Sequence, residues 1–278
     1  MSAASPSREL ADGKLLIDEP LEHVVRLTIS NPAKRNALDH PILDAISAAL
    51  SEFAAPDAQA RCLLVTGAQE MFSAGYDIGD IGEIPEQDFE ARAERLVAHP
   101  FTQAIDALAA FPYPTLAVLS GHTIGGGLEL ALSCDLRVAH DGVMLGMPPA
   151  KLGLVYSHTG LRRFIDTIGA ARTRELFLLG RHIDAPTALM WGLVNRVAAV
   201  AELEHVALDL AGELAGNAPL AQTGNKRVLA ELLRAESELA PEVEAQLVEL
   251  RHASFASHDL REGMRAFAER RPARWRGQ

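Results

Sequence analysis

Two glycine-containing turns hold the residues of this sequence that are best suited to chemistry. In one of them the apolar run 116–119 is followed by three consecutive glycines, Gly125, Gly126 and Gly127, and then by Glu129. This pattern predicts a buried strand, a tight turn and a helix that begins at the glycines. The first N–H groups of a helix are free to bind an anion, and the helix dipole adds positive potential there.

Glu129 follows Gly126 by three residues, which is close to one helical turn. Its carboxylate therefore returns to the side on which the Gly126 amide lies. An amide that stabilises a negatively charged oxygen, next to a carboxylate base, is suited to chemistry beside a carbonyl group. Two structural interpretations stand beside this one: three glycines can be a close-packed turn, and a single Glu can be a partner of the helix dipole. This segment alone favours neither side.

A second turn of the same kind comes earlier in the chain. The β-type run 61–66 ends at Gly67, and the turn itself follows as Phe72-Ser73-Ala74-Gly75-Tyr76-Asp77-Ile78. Here too a strand ends in small residues that leave backbone amides available. The sequence thus contains two separate turns that each present N–H groups.

Together these turns resemble those of the crotonase (enoyl-CoA hydratase/isomerase) superfamily, which carries an F-x-A-G-x-D turn and a G-G-G-x-E turn at about this separation. The resemblance covers nearly the whole chain. It includes residues 31–38 (NPAKRNAL), 184–194 (DAPTALMWGLV) and 261–267 (REGMRAF). Each motif alone is weakly specific, whereas their order and spacing are strongly specific.

The resemblance implies an α/β fold, a crotonase-like spiral of ββα units with a C-terminal helical region. It implies a spiral core over residues 13–200 and a helical oligomerisation region over 201–278, usually assembled as a homotrimer or a dimer of trimers. Residues 1–12 lack an apolar signal core and are expected to be a disordered tail. The alternation of strand, turn and helix independently favours an α/β core with right-handed crossovers, but it does not predict the spiral.

The pattern also predicts the positions of the elements. Strands are expected at 24–29, 62–66, 115–119, 137–139 and 143–145, with helices near 41–53 and 87–110, the second kinked at Pro100. From Thr159 onward the pattern predicts helices at 159–168, 170–179, 186–191, 200–216, 219–235, 239–255 and 258–270.

The family motifs also imply roles for individual residues. The resemblance implies that the N–H groups of Tyr76 and Gly126 form an oxyanion hole for a thioester oxygen, so that an enolate is stabilised. A surface aromatic at a strand end is the alternative for Tyr76. Glu129 matches the first of two glutamates that hydratases use. The second is expected where this chain has Pro149, and proline cannot ionise.

The loop after Gly146 adds a second comparison. Residues 146–156 (GMPPAKLGLVY) resemble the methylmalonyl-CoA decarboxylase branch of the superfamily, which also has proline in this loop and a tyrosine at the place of Tyr156. The resemblance implies that this phenol holds a substrate carboxylate while the oxyanion hole accepts the electrons released by loss of CO₂. A tyrosine of the hydrophobic core is an equally weighted alternative.

Binding of the CoA moiety is expected at the turns themselves. The residues implied are Lys34, Arg35, Ala37, Ala74, Gly75, Asp77 and Ile78. Solvated basic residues at a turn are the alternative for Lys34 and Arg35. The sequence has no H-E-x-x-H, C-x-x-C or carboxylate cluster, so we expect no metal and no cofactor beyond the CoA moiety of the substrate.

Composition limits the remaining possibilities. With 278 residues, 48% of them hydrophobic, the chain has enough apolar mass for a sizeable core, and no apolar run approaches the ~18–20 residues that cross a bilayer. A formal charge of −11 argues against nucleic-acid binding. Cys62 and Cys134 lie in apolar surroundings, as expected of buried thiols in a reducing compartment, and we expect a cytoplasmic protein without membrane contacts.

Three functions remain open at this point. The first is an acyl-CoA enzyme of the enoyl-CoA hydratase/isomerase type, with Glu129 as the proton-transfer group. The second is a decarboxylase of malonyl-type thioesters that uses Tyr156. The third is a non-catalytic member of the superfamily that binds acyl-CoA or RNA; the Gly126 and Glu129 pair argues against it, and the negative charge argues against RNA.

Overall fold

The computed structural model of the protein describes residues 8–55, 58–77, 100–236 and 238–278. These residues form two compact units. The first unit contains the described residues up to Asp77, together with Pro100–Leu145 and Ile183–Glu236. The second contains Gly146–His182 and the described residues from 238 to 278.

A seven-stranded sheet forms the centre of the first unit. Its strand order is β1-β2-β3-β4-β6-β8-β11. The strands are β1 (Arg8–Leu10), β2 (Leu15–Leu21), β3 (Val24–Ile29), β4 (Cys62–Gly67), β6 (Thr115–Leu119), β8 (Leu136–His140) and β11 (Arg196–Ala198). The first three strands are antiparallel, and from β3 to β11 neighbouring strands are parallel. All five residues of β6 are buried, as expected for a central strand of a parallel sheet that is covered on both faces.

A smaller sheet contains four strands of three residues each, in the order β10-β9-β7-β5. They are β5 (Met71–Ser73), β7 (His122–Ile124), β9 (Met144–Gly146) and β10 (His182–Asp184). Strands β5 and β7 run parallel, with Met71 opposite His122 and Ser73 opposite Thr123. Because neighbouring parallel strands end at the same edge of a sheet, the segments that follow β5 and β7 begin side by side.

Helices surround the sheets of the first unit. They are α1 (His40–Phe53), α2 (Pro100–Ala109), α3 (Gly126–Leu132), α5 (Ala185–Trp191), α6 (Leu203–Gly216) and α7 (Pro219–Ala235). Small residues on α6, Ala207 and Ala211, pack on a cluster of sheet residues that includes Leu64, Leu116 and Val138. The expected α/β core is confirmed, with neighbouring strands parallel from β3 to β11.

The second unit is mostly helical. It contains a short 3₁₀ helix, Pro149–Leu152, followed by α4 (His158–Leu179), α8 (Pro241–Ala256) and α9 (His258–Ala268). Ser157 begins α4 by accepting a hydrogen bond from Gly160 N at 3.1 Å. Within α4 the backbone of Gly169 is not helical, with φ 76° and ψ 163°. This break confirms the prediction of two helices on either side of residue 169.

Some of the predicted elements differ from the structure. Residues 8–10 form strand β1, and Arg8 makes two hydrogen bonds of 2.7 Å to Glu52, so the expected disordered tail is wrong for this stretch. A strand predicted at 143–145 lies at Met144–Gly146. Of the helix predicted near 87–110, the described part is Pro100–Ala109, and the chain before Pro100 lies outside the described residues. Helices α6 and α7 follow residue 200 yet belong to the first unit.

None of the described helices is both long and apolar enough to cross a bilayer. Among the described residues no group of three or more His, Cys, Asp and Glu side chains is placed to hold a metal ion.

Candidate active site

The turn at the start of α3 begins directly after β7. Gly125 has φ +59° and ψ −127°, a conformation that residues with a Cβ rarely adopt, and it precedes the first helical residue, Gly126. Leu128 N and Glu129 N both donate hydrogen bonds to Gly125 O, at 2.9 and 3.2 Å. The amides of Gly126 and Gly127 come before these and have no acceptor within the helix. Because α3 has only seven residues, its dipole is small. An anion would therefore be bound mainly by hydrogen bonds from the N–H groups themselves.

The second turn follows β5 and is held by the segment after β3. Leu38 N donates to Gly75 O at 2.8 Å, and Asp77 N donates to Leu38 O at 3.0 Å. Across a trans peptide bond, C=O and N–H point in opposite directions. Since Gly75 O faces Leu38, the N–H of Tyr76 points away from Leu38. This direction is needed if the amide is to bind a ligand.

The two turns meet at their glycines. A Cβ placed on Gly75, whose φ is +99°, would lie 3.0 Å from Gly126 N. A Cβ placed on Gly126 would lie 3.2 Å from Tyr76 N and 3.0 Å from the ring of Phe101. The structure therefore brings the amides of Tyr76 and Gly126 close together, and glycines at 75 and 126 leave the space for this approach. Two neighbouring N–H donors can stabilise a developing oxyanion that both of them reach.

Glu129 lies in the first turn of α3 and is 4% exposed. It is one of few carboxylates buried in the described part of the chain, and it lies on the same short helix as Gly126. That its carboxylate lies on the side of the Gly126 amide stays a prediction. A buried carboxylate on the helix that carries one of the two amides is suited to take a proton from a carbon next to a thioester, or to return it.

The Tyr76 side chain forms an aromatic group with two residues that the sequence analysis missed. Its phenol oxygen is hydrogen bonded to His40 Nε2, and its ring packs edge-on against Phe101 with centroids 6.0 Å apart. Burial, with smaller contributions from the negative charges of Asp77 and Asp39, raises the pKa of Tyr76 to about 12. The phenol is therefore protonated at neutral pH and cannot act as a base.

The residues expected to bind CoA lie on the two segments that flank this turn. Lys34 Nζ contacts Asp77 Oδ2 at 2.7 Å, and Ala74 N donates to Arg35 O at 3.0 Å. Ala37 and Gly75 are buried beside them, and Ile78 lies outside the described residues. The structure thus groups six of the seven expected residues: Lys34, Arg35, Ala37, Ala74, Gly75 and Asp77.

Lys34 and Arg35 nevertheless belong to different surfaces. Whereas Lys34 lies beside Asp77, Arg35 lines an open cavity of about 570 Å³ together with Gln69, Glu70 and His122. The two neighbouring cations are therefore not interchangeable.

Tyr156 and Pro149 belong to the second unit. Pro149 is buried at the start of the 3₁₀ helix Pro149–Leu152. Because the residue is a proline, it supplies no carboxylate at this position. The Tyr156 ring packs edge-on against Phe177 with centroids 5.4 Å apart, and the preceding Val155 N donates to Ser254 Oγ at 3.1 Å. Tyr156 is partly buried, and its expected role toward a substrate carboxylate stays a prediction.

Comparison with known proteins adds independent findings. A family model described as enoyl-CoA hydratase/isomerase matches residues 19–278. A carnitinyl-CoA dehydratase of Salmonella typhi is 34% identical over 263 residues, which cover 92% of this chain and 95% of that protein.

Among solved structures, methylmalonyl-CoA decarboxylase in complex with 2-nitronate-propionyl-CoA is similar with a TM-score of 0.84 and 28% identity, over 95% of this chain and 99% of that one. A carnitinyl-CoA hydratase from Mycobacterium avium is similar with a TM-score of 0.79 and 30% identity, over 95% and 99% of the two chains. An enoyl-CoA hydratase from Bacillus anthracis is similar with a TM-score of 0.73 and 26% identity, over 95% and 100%.

Proposed function

The chain belongs to the enoyl-CoA hydratase/isomerase family of the crotonase superfamily, and we propose that it is an acyl-CoA enzyme that stabilises a thioester enolate between the amides of Tyr76 and Gly126. One observation carries the proposal: the close approach of these two amides, for which glycines at 75 and 126 leave the space. Glu129, buried on the same helix as Gly126, is the proton-transfer group. The reaction is of the hydratase/isomerase type, a class that includes dehydration of 3-hydroxyacyl thioesters.

In the proposed mechanism the thioester oxygen accepts hydrogen bonds from Tyr76 N and Gly126 N. When Glu129 removes a proton from the α-carbon, the electron pair moves toward the carbonyl oxygen, and the two amides stabilise the negative charge. One such donor is typically worth on the order of 10²–10³ in rate. Returning the proton from Glu129 to another carbon gives isomerisation, and transferring it to a β-hydroxyl group, which then leaves as water, gives dehydration.

Hydration across a double bond needs a base for water and an acid for the α-carbon. In this chain Pro149 stands where the second glutamate is expected, so Glu129 would serve both steps. We therefore expect hydration of a simple enoyl thioester to be slower than in a two-glutamate enzyme. A reaction with one proton transfer, or with none, is not limited in this way.

Decarboxylation is the second candidate, and two observations favour it. The similarity in structure to methylmalonyl-CoA decarboxylase has a TM-score of 0.84, and the chain has proline at 149 and tyrosine at 156 in one loop. In this reaction the bond between the α-carbon and the carboxylate breaks, and its electron pair forms the enolate that the amides hold. The Tyr156 hydroxyl would donate a hydrogen bond to the carboxylate.

The CoA moiety is proposed to bind along the turn, with Lys34 nearest to its phosphates and the Ala74 carbonyl nearest to its adenine. No cofactor beyond this moiety is proposed. We also propose a homotrimer or a dimer of trimers. Helix α7 has no buried residue in the single chain and exposes Leu220, Val228, Leu229 and Leu232, which supports burial against another copy.

Turnover of a panel of thioesters tests the proposal. The panel contains crotonyl-CoA, a 3-enoyl-CoA, a 3-hydroxyacyl-CoA and methylmalonyl-CoA, and calorimetry measures binding of a non-reactive CoA thioester. We expect one class to turn over well above the others and the analogue to bind. Absence of binding up to millimolar concentrations would contradict the assignment to acyl-CoA thioesters.

A further inference from the structure

The two amide-bearing turns share one buried side chain, that of Ser73. It is the last residue of β5, has no exposed surface, and lies two residues before Gly75 and three before Tyr76. From its contacts we infer that Ser73 is a positioning residue that holds the Tyr76 and Gly126 amides at a fixed separation, an inference that rests on the proposed thioester chemistry.

Ser73 holds the first turn through its hydroxyl group. Its Oγ donates a hydrogen bond to Asn36 O at 2.8 Å and accepts one from Gly75 N at 3.1 Å. Because Leu38 N occupies Gly75 O, both ends of Gly75 are hydrogen bonded. Gly75 is thereby held at its positive φ of +99°, and with it the peptide group that carries the Tyr76 N–H.

The same side chain contacts the second turn. A Cβ placed on Gly127 would lie 2.6 Å from Ser73 O, 2.7 Å from Ser73 Cβ and 2.9 Å from Ser73 Oγ. The start of α3 therefore rests directly on Ser73, without space for a single methyl group. Since Gly127 follows Gly126, a displacement of Ser73 changes the position of Gly126 N relative to Tyr76 N.

The acceptor of the Ser73 hydroxyl is itself immobilised. Asn36 is fully buried, and its Nδ2 donates to Ala68 O at 2.8 Å and to Met71 O at 2.7 Å. Its Oδ1 accepts a hydrogen bond from Asn31 N at 2.8 Å. Ser73 is therefore held between a rigid polar anchor on one side and the two turns on the other.

Removing the hydroxyl leaves Gly75 N and Asn36 O without this partner and a small space beside Gly127. The turns then gain freedom at the place where a thioester oxygen must fit two donors. We expect kcat of Ser73→Ala to fall roughly 10- to 100-fold, because catalysis depends steeply on the placement of such donors. KM should change less than kcat, since Lys34, which lies nearest to the CoA phosphates in the proposed complex, is held by Asp77 and not by Ser73.

The matched control is Ser120→Ala. Ser120 Oγ also donates to a backbone carbonyl, Gly67 O, at 2.6 Å, but no hydrogen bond of Ser120 joins it to either amide-bearing turn. Two measurements are made on both variants and on wild type. One is steady-state kinetics with the thioester that wild type turns over; the other, which needs no substrate, is amide hydrogen exchange of peptides that cover 72–77 and 124–129.

The inference predicts lower kcat and faster exchange of both peptides in Ser73→Ala but not in Ser120→Ala, with partial recovery in Ser73→Cys, which fills the space of the hydroxyl with a slightly larger, weakly hydrogen-bonding thiol. Wild-type kcat and exchange in Ser73→Ala would overturn it, as would equal effects in Ser120→Ala. If Ser73→Ala does not fold, the comparison of Ser73→Cys with wild type decides in the same way. If wild type turns over no thioester while both peptides exchange faster only in the Ser73 variants, the proposed function fails and the holding role of Ser73 stands.

Discussion

Replacing Gly126 by alanine is a direct test of the amide pair. The added methyl carbon would lie 3.2 Å from Tyr76 N and, from covalent geometry, roughly 2.5 Å from Gly126 N. A thioester oxygen bound by both amides would lie about 2.9 Å from each nitrogen. The methyl group and the oxygen therefore compete for the space beside the two donors.

The expected loss follows from this competition. If the oxygen is displaced from one donor, the kcat of the variant should fall on the order of 10²–10³-fold, which corresponds to about 2.7–4 kcal/mol of lost transition-state stabilisation. Stability should change less. The methyl group also meets the far end of the Phe101 ring at 3.0 Å, and overpacking of this kind costs about 1–3 kcal/mol.

The assay is kcat and KM for the thioester that wild type turns over, with thermal unfolding measured on the same samples. Gly212→Ala is the control, because a Cβ at this position of α6 would meet only Leu21 Cδ1, at an ordinary contact distance of 3.7 Å. It should keep wild-type kinetics and gain up to about 1 kcal/mol in stability, since alanine favours a helix over glycine. Wild-type activity in a folded Gly126→Ala protein would show that the oxygen does not bind at this pair.

Four further outcomes are expected. Glu129→Gln should abolish isomerisation, hydration and dehydration, because an amide cannot carry the proton. Tyr156→Phe should hardly change the rates of these three reactions, but it should cost a decarboxylase about 1–3 kcal/mol of carboxylate recognition, as measured by kcat/KM. A decarboxylase whose kcat/KM is unaffected by Tyr156→Phe would contradict that role. Lys34→Gln should raise KM for a CoA thioester about two- to fivefold but not KM for a thioester truncated before the phosphates; equal effects on both would argue against phosphate binding. Light scattering should give three or six times the chain mass of 29.9 kDa, and Leu232→Glu should lower it; a wild-type monomer at micromolar concentration refutes this assembly. The guanidinium group of Arg271 lowers the pKa of the Glu262 carboxyl from 4.5 to about 2, so the contribution of this ion pair to stability is present above about pH 4.5 and is lost as the pH falls toward 2. Glu262→Gln should therefore lower the unfolding temperature more at pH 7 than at pH 3. An equal decrease at both pH values would contradict the ion pair.

Local structure could be predicted well where a single residue type decides it. The break in α4 at Gly169 lies between the two predicted helices, and the helix that begins at the glycines is α3. Strand β1 was missed because three exposed or partly exposed residues give no periodic signal. It is ordered by pairing with β2, with Arg8 opposite Ile17, which local sequence does not reveal.

Parts of the candidate site could not be predicted from local patterns. His40 and Phe101 are 36 and 25 residues from Tyr76 in the chain, and neither belongs to a recognisable motif. His40 reaches the phenol because the single parallel bridge between Leu38 and Tyr76 places the start of α1 beside the turn. Only the register of this pairing brings the two side chains together.

The sequence by itself determined the order and spacing of the motifs, and with them the family, the helical spacing between Gly126 and Glu129, and the lack of a carboxylate at Pro149. These are properties of residues that are close in the chain. The tertiary structure decided that the Tyr76 and Gly126 amides meet, because β5 and β7 pair in parallel and end at the same edge of their sheet. It also decided that Ser73 contacts both turns. Contacts of this kind join residues about 50 positions apart, so they depend on strand register and packing, which no local pattern of residues specifies.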